Sequence, residues 1–139
     1  MLFKGQISEY ERLAPLSDNR KGKAAFSQVY EARDIKTGKK VVLKTLLSRY
    51  FNDEIAEERF LDEASLGLDH PWVVKYIDSG DNPRPFTVSE FFEGQPLQHI
   101  RCPRFGNRNK YTIRVIQFYI KVCEALEYVH QQQVIHGDI

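Results

Sequence analysis

A lysine and a preceding loop of small residues are the first groups in this chain whose types and spacing suggest chemistry. Lys44 ends an apolar run, and the loop GKAAFSQV occupies residues 22–29. Gly22, Ala24 and Ser27 take the first, third and sixth positions of a G-x-G-x-F-G-x-V pattern. Small side chains at such positions let backbone N–H groups approach a phosphate group. The same residues also fit a hairpin turn without a ligand and an edge-strand lysine that extends to solvent.

Three of the acidic residues that follow Lys44 along the chain are candidate site residues. Glu63 lies in an acidic helical stretch, where it could pair with the ammonium group of Lys44 or remain solvated. Glu90 follows an apolar run and precedes a glycine, so this backbone could bind a flat heterocycle or simply end a strand. Asp138 follows His136 and could accept a proton from a hydroxyl group or serve as a turn residue.

Short strands must position most of these residues. Strands are predicted for residues 10–16, 28–34, 39–46, 72–77 and 85–92. The stretch 35–38 has the length and the glycine of a hairpin turn, and the stretch 78–83 is also rich in turn residues. Pro15 weakens the first strand, because proline cannot donate a hydrogen bond to a ladder.

Two longer stretches are predicted to be helices. Residues 52–68 carry a candidate cap at Asn52 or Asp53, and acidic residues follow in the first turn, where they suit the helix dipole. Residues 112–130 place apolar side chains, including Ile116, at helical spacing. Hairpin-length connections between strands favour an α+β fold with an antiparallel sheet over a parallel doubly wound one.

The composition limits the class of protein. The 139 residues suffice for one ordinary domain, and a content of 42% hydrophobic residues supports a packed core. The net charge of +1 gives no reason to expect nucleic acid or an acidic membrane as a partner. Cys102 and Cys123 are expected to be free thiols. Neither a signal peptide nor a membrane-spanning run is evident, so a cytoplasmic location is expected.

Taken together, the motifs of this chain resemble the first half of a eukaryotic-type protein kinase domain. The resemblance runs from about Tyr10 to Ile139 and rests on GKAAFSQVYEARD with TGKKVVLK, FLDEA, LDHPWVVKYIDSG, PFTVSEFFEGQPL and ALEYVHQQQVIHGDI. It implies an N-lobe with an antiparallel sheet and helix C, followed by the first helices of an incomplete C-lobe. The implied divisions are an N-terminal extension at 1–9, an N-lobe with hinge at 10–94, and a truncated C-lobe at 95–139.

The resemblance also implies a role for each candidate residue. Asp138 would be the catalytic base, and His136 would brace the loop that carries it. Lys44 would act in catalysis by binding the phosphates of ATP, and Glu63 would hold Lys44 in place. Ser89 would be a small gatekeeper in front of a deep back pocket. The other ATP-binding residues would cover the phosphates, enclose the adenine or bond its edge: Gly22, Ala24, Phe26, Ser27, Val29, Val42, Glu90 and Phe92.

Departures from the family pattern carry expectations of their own. Gly137 stands where kinases usually have an arginine that pairs with a phosphorylated activation loop, so such phosphorylation is not expected to be the main switch. The stretch after Glu63 is shorter than usual, which leaves Glu57 or Glu58 as alternatives to it. The ligands of Mg²⁺ are expected beyond Ile139, so no metal ligand is predicted within this chain.

The expected function is therefore ATP-dependent serine/threonine protein kinase activity, with this chain as a partial catalytic domain. The 139 residues alone are expected to transfer phosphate at most marginally. The alternative is a non-catalytic, pseudokinase-like module that binds nucleotide or a partner, and a weaker one is an unrelated α+β interaction domain. The expected partners are ATP, a protein substrate and the remaining C-lobe on a longer or separate chain.

Overall fold

The chain divides into two compact units in the computed structural model. The structure describes residues 1–16, 26–94 and 108–134. Unit 1 contains Met1–Gly67 and Lys75–Phe91, and unit 2 contains Leu68–Val74 and Phe92–Ile139. Residues 1–9, expected as an N-terminal extension, are part of unit 1.

Unit 1 is built on a six-stranded sheet in which every pair of neighbouring strands is antiparallel. Its strands are β1 (Leu2–Lys4), β2 (Glu9–Pro15), β3 (Ser27–Asp34), β4 (Lys40–Leu46), β5 (Tyr76–Gly80) and β6 (Phe86–Glu90). They lie in the order β1-β2-β3-β4-β6-β5. The predicted α+β fold with an antiparallel sheet is confirmed.

The turn between β3 and β4 lies where the sequence predicts a hairpin. Gly38 adopts a φ of +72°, a left-handed conformation that glycine accepts readily. The Asp34 carboxylate accepts hydrogen bonds from the Lys36 N–H at 2.9 Å and from the Thr37 hydroxyl at 2.6 Å. These bonds fix the turn and thereby the register of the two strands that it joins.

The two edges of the sheet are joined to each other. The Lys4 N–H donates to the Asn82 carbonyl at 2.9 Å, just beyond β5, and the Gln6 N–H donates to the Ser79 carbonyl at 3.2 Å. The Gln6 N–H also reaches the Asp78 carboxylate at 3.0 Å. The sheet is therefore curled so that β1 and β5 cover each other's edges, which would otherwise expose backbone groups.

Apolar side chains fill the enclosed face of this curled sheet. They are Phe3, Tyr10, Tyr30, Ala32, Val41, Leu43, Phe86 and Val88. The rings of Phe3 and Phe86 pack edge to face with their centroids 5.2 Å apart, an arrangement that aromatic pairs favour. Because Phe3 lies on β1, the N-terminal strand contributes a fully buried ring to the core.

The helix of unit 1, α1 (Glu54–Ser65), begins at a capped residue. The Asp53 carboxylate accepts a hydrogen bond from the Ala56 N–H at 3.0 Å, so Asp53 and not Asn52 is the cap. The helix is shorter than predicted at both ends, and Gly67 follows it with a φ of +59°.

One face of α1 packs against β5 and β6. Ala56 and Phe60 are buried on that face, whereas Ile55 is 63% exposed. A short 3₁₀ helix, Ser48–Tyr50, connects β4 to the cap of α1.

The described part of unit 2 contains α2 (Arg108–Gln131) and the segment 68–74. The Tyr128 hydroxyl accepts a hydrogen bond from the Asp69 N–H at 3.0 Å, and its ring stacks on His70. The apolar stripe predicted for this helix is exposed at Ile116. Cys123 is a free thiol, as predicted, and Cys102 lies outside the described residues.

Two predictions about the strands were wrong. The strand predicted at 72–77 begins only at Tyr76, because the Trp72 N–H and the Val73 N–H turn back to bond the ring and the carbonyl of His70. Residues 78–80, predicted as a turn, belong to β5. The strand β1 was not predicted, and Pro15 is accommodated in β2 next to a register shift.

Candidate functional site

The register of the sheet brings four of the predicted site residues onto one face. Val29 lies directly opposite Lys44, and Val42 lies directly opposite Ser89. Directly opposite residues share a face, and so do residues two apart on a strand, so all four side chains point to the same side. We call this side the Lys44 face. Its four side chains are half-buried, whereas the opposite face is the enclosed core.

Lys44 also lies close to an aromatic ring of α1. Its ammonium nitrogen is 5.7 Å from the ring centroid of Phe60, within the range of a cation–π interaction. Phe60 is only 6% exposed, so the contact is shielded from water. The sequence analysis places Phe60 in the helix predicted for residues 52–68 and in the FLDEA motif, without a role in the site. The signal that could have identified Phe60 as part of the site is its position three residues before Glu63.

Glu63 lies on α1, the helix whose Phe60 contacts Lys44. The structure describes its backbone and not its side chain, so the predicted pairing with Lys44 stays a prediction. The two alternatives lie earlier in the same helix, where Glu57 is half-buried and Glu58 is exposed.

Glu90 ends β6, and its backbone N–H is already occupied. That N–H donates to the Lys75 carbonyl at 3.1 Å, while the Glu90 carboxylate accepts from the Lys75 N–H at 2.9 Å. Main-chain binding of a ligand by Glu90 is therefore limited to its carbonyl oxygen. Phe92 is assigned to unit 2, and its side chain is 62% exposed.

The C-terminal end of the small-residue loop is held beside the start of α1. The Phe26 carbonyl accepts a hydrogen bond from the Leu47 N–H at 3.1 Å, and the Phe26 ring stacks on Tyr50. Ser27 begins β3 and lies opposite Leu46. Sequence reasoning did not single out Tyr50, which matches no motif.

Four predicted site residues lie outside the described residues. They are Gly22, Ala24, His136 and Asp138. Their predicted roles stay predictions.

The described stretches show no cluster of three or more His, Cys, Asp or Glu residues that could hold a metal ion. Within the same stretches, no helix is both long and apolar enough to cross a membrane.

The chain is similar in sequence to bacterial serine/threonine-protein kinases. It is 30% identical over 125 residues to the probable serine/threonine-protein kinase SCO3848 of Streptomyces coelicolor. It is 31% identical over 125 residues to the serine/threonine-protein kinase PknB of Mycobacterium tuberculosis. Each alignment covers 85% of this chain but only 18% and 20% of these relatives, so the chain spans about a fifth of their length.

Its fold is similar to a solved kinase domain. The crystal structure of a mutant form of the Mycobacterium tuberculosis PknI kinase domain matches with a TM-score of 0.68 and 22% identity, over 99% of this chain and 53% of that one. The protein kinase domain family matches residues 17–139. The chain belongs to this family, and the predicted kinase resemblance is confirmed.

Proposed function

We propose that the protein transfers the γ-phosphoryl group of ATP to serine or threonine hydroxyls of a protein substrate, and that this chain supplies the nucleotide-binding half of the catalytic domain. The observation that carries the proposal is Lys44, held on a half-buried face beside Phe60 of α1. Membership of the kinase family and the named serine/threonine-protein kinases among its relatives support the reaction class.

The Lys44 face would supply several of the groups that bind ATP. The ammonium group of Lys44 would neutralise the α- and β-phosphates, and the side chains of Val29 and Val42 would contact the apolar faces of the adenine. The Glu90 carbonyl would accept a hydrogen bond from the adenine amino group, while the small side chain of Ser89 leaves room behind the base. Phosphoryl transfer is largely a matter of positioning and charge neutralisation, which these groups provide for the nucleotide.

The remaining roles in the reaction are assigned to residues outside the described ranges. Gly22 and Ala24 would cover the phosphates, and Asp138, braced by His136, would orient or deprotonate the substrate hydroxyl. Mg²⁺ would neutralise the phosphate oxygens when bound. Its ligands are proposed for the C-terminal half of the kinase domain, which the chain does not span.

The proposed setting is the cytoplasm, where ATP and protein substrates are present. The remaining C-lobe, on a longer or separate chain, is the proposed structural partner. Nothing in the described residues favours the non-catalytic alternative.

Nucleotide affinity tests the proposal directly. The dissociation constants of MgATP and of adenosine are measured by calorimetry for the full chain and for Lys44→Met. We expect Lys44→Met to weaken the binding of ATP by about 10-fold or more and the binding of adenosine by less than about 2-fold. The reason is that only ATP carries the phosphates that the ammonium group binds. Lys39→Met, which removes an exposed lysine before the same strand, is the matched control and is expected to change neither.

Transfer is tested separately with the complete gene product. Radioactive phosphate from ATP is followed into serine- and threonine-containing peptides in the presence of Mg²⁺. Equal ATP affinity of the wild type and Lys44→Met contradicts the nucleotide role. ATP binding without incorporation from the complete product contradicts the transfer reaction alone.

A further inference from the structure

Three side chains of unit 1 contact one another in series near the end of β6. The Lys40 ammonium group is 3.0 Å from the Glu31 carboxylate. The same nitrogen is 5.5 Å from the ring centroid of Phe91, within the range of a cation–π interaction. Glu31 lies on β3, Lys40 begins β4, and Phe91 follows the last residue of β6. The three side chains therefore link segments of three neighbouring strands.

The register of the sheet places two of these side chains beside Val42. Glu31 lies directly opposite Val42, and Lys40 lies two residues before it on the same strand. Directly opposite residues share a face, and so do residues two apart, so both side chains lie on the Lys44 face. Val42 is one of the residues proposed to contact the adenine. The ion pair thus flanks the part of this face that is proposed to bind the base.

The position of Lys40 is restricted from two sides. Its side chain is 55% exposed, whereas that of its partner Glu31 is 21% exposed. The carboxylate holds the ammonium group on one side, and the half-buried ring of Phe91 lies on the other. Ion pairs this close to solvent contribute little to the free energy of unfolding. The main effect that we expect from these contacts is therefore to restrain the segment that carries Phe91.

Phe91 shares a peptide group with the carbonyl that is proposed to bind the adenine. The Glu90 carbonyl belongs to the planar unit that joins Glu90 to Phe91, so its direction depends on the positions of both Cα atoms. The Glu90 end is fixed by pairing with Val41 and by hydrogen bonds to the backbone of Lys75 at 2.9 and 3.1 Å. The Phe91 end lies beyond the strand, where the contact with Lys40 holds its ring.

A carbonyl oxygen of fixed direction can discriminate between purines. Adenine carries an amino group at its 6-position, which donates a hydrogen bond to a carbonyl oxygen, whereas hypoxanthine and guanine carry an oxygen there. Two oxygens that face each other without a proton repel, and each loses its hydrogen bond, so the oxo purines bind more weakly. A carbonyl that is free to turn away avoids this penalty. The preference for adenine therefore depends on how firmly the carbonyl is held.

We propose that Lys40 and Phe91 are positioning residues that set the preference of the nucleotide site for adenine. The ammonium group of Lys40, held by Glu31, fixes the ring of Phe91. The fixed ring in turn sets the direction of the Glu90 carbonyl. The inference rests on the proposed function, because it concerns the base end of the same nucleotide site. Neither Lys40 nor Phe91 is proposed to touch the nucleotide.

The experiment compares the binding of adenosine with that of inosine, the nucleoside of hypoxanthine, by calorimetry on the full chain and its variants. The wild type is expected to bind adenosine about 10-fold more tightly than inosine. In Lys40→Met and in Phe91→Leu, we expect the affinity for adenosine to fall by about 3- to 5-fold. The affinity for inosine is expected to change by less than about 2-fold, because inosine makes no hydrogen bond to the carbonyl. The preference for adenosine therefore shrinks in both variants.

Conservative variants and a control separate this role from a general effect on the sheet. Lys40→Arg keeps the cation and Phe91→Tyr keeps the ring, so each is expected to retain the preference for adenosine. The double variant Lys40→Met/Phe91→Leu is expected to be no weaker than either single variant, because the two residues act through one contact. Lys39→Met removes the exposed lysine next in sequence, and it is expected to leave both affinities unchanged.

Circular dichroism verifies that each variant is folded, and Lys40→Met carries the test if Phe91→Leu unfolds, because Lys40 is exposed. An unchanged preference in Lys40→Met, an equal loss for adenosine and inosine, or additive losses in the double variant overturns the inference. A wild type whose binding of MgATP depends on Lys44 but that does not prefer adenosine to inosine also overturns the inference, and it leaves the proposed function standing. A wild type that binds neither MgATP nor adenosine overturns the proposed function, so the two failures are distinguished.

Discussion

The hydroxyl of Tyr10 donates a hydrogen bond to the carboxylate of Asp78 at 2.9 Å, and this bond joins β2 to β5 across the enclosed side of the sheet. Asp78 also accepts from the backbone N–H groups of Gln6, Ile7 and Ser8, at 3.0 to 3.1 Å, and from its own neighbour Ser79. The buried Asp78 carboxylate thus links the N-terminal turn, β2 and β5 by hydrogen bonds. The curled sheet is closed at this point.

Replacing Asp78 with alanine is expected to destabilise the protein by about 3 kcal/mol or more, because the buried Tyr10 hydroxyl and several part-buried N–H groups lose their acceptor at once. Asp78→Asn keeps the shape and one acceptor oxygen, so a smaller loss of about 1 to 3 kcal/mol is expected. Urea unfolding followed by circular dichroism measures both. Asp81→Ala, which removes an exposed carboxylate nearby in the sequence, is the control. Its free energy of unfolding is expected to stay within about 0.5 kcal/mol of that of the wild type. An equally small loss of stability in Asp78→Ala would contradict the role of Asp78 in closing the curled sheet.

High pH is expected to weaken the fold through Tyr10. Burial first, and then the hydrogen bond and charge of Asp78, raise the pKa of the Tyr10 phenol far above its ordinary value of 10.0. The folded state therefore keeps a proton that the unfolded state releases above pH 10. The protonated Tyr10 phenol therefore makes its full contribution to the free energy of unfolding below pH 10. As the pH rises further, this contribution falls by about 1.4 kcal/mol per pH unit.

The difference in unfolding free energy between the wild type and Tyr10→Phe, measured from pH 8 to 11, isolates this effect. We expect the difference to shrink above pH 10, since Tyr10→Phe has no phenol to ionise. Tyr119→Phe, which alters an exposed ring, provides the control and is expected to follow the wild type. If the difference in unfolding free energy between the wild type and Tyr10→Phe does not change with pH, ionisation of the buried phenol is not the cause of the lower stability at high pH.

Gly80 is required where β1 approaches the end of β5. A Cβ atom at this position would lie 2.6 Å from the Lys4 carbonyl oxygen and 2.7 Å from the ring of Phe86. Gly80→Ala is therefore expected to cost about 2 to 3 kcal/mol and to speed hydrogen exchange of the Lys4 N–H, which bonds Asn82. Gly94→Ala, where a Cβ would meet nothing within 4 Å, is the matched control. Equal stability of the two variants would contradict the close approach of β1.

The contact between Lys44 and Phe60 can be measured by a double-mutant cycle. Lys44→Met and Phe60→Leu remove the charge and the ring in turn, and we expect a coupling of about 0.5 to 2 kcal/mol in the unfolding free energy, because the cation–π interaction is shielded from water. The same cycle between Lys39→Met and Phe60→Leu is expected to be additive. Additivity in both cycles would mean that Phe60 stabilises α1 by packing alone.

The fold class and the hairpin were accessible from sequence because their signals are local. The turn around Gly38 and the alternation of β3 and β4 fix the register, and this register places Val29, Val42 and Lys44 on one face. β1 could not be found in this way, since its three residues gain their stability from distant partners such as Asn82.

Asp78 illustrates the limit of local propensity most clearly. The sequence Asp-Ser-Gly favours a turn, yet tertiary contacts draw it into β5 and bury the carboxylate. Within the site, Lys44 was identified from its motif. Phe60 lies in the FLDEA motif but was assigned no role, and Tyr50 matches no motif, so the contacts of these two rings become visible only in the structure.

The joined edges of the sheet also determine which residues an expressed fragment must contain in order to fold. The stretch that matches the kinase family begins at residue 17, after β1 and β2 have ended. A polypeptide trimmed to that stretch would lose the rings of Phe3 and Tyr10 and would leave Phe86 and Val88 without their cover. We expect such a fragment to fold poorly and to aggregate, although it keeps the kinase motifs found in this chain. The reason is that the folding unit begins upstream of the stretch that is similar to the family.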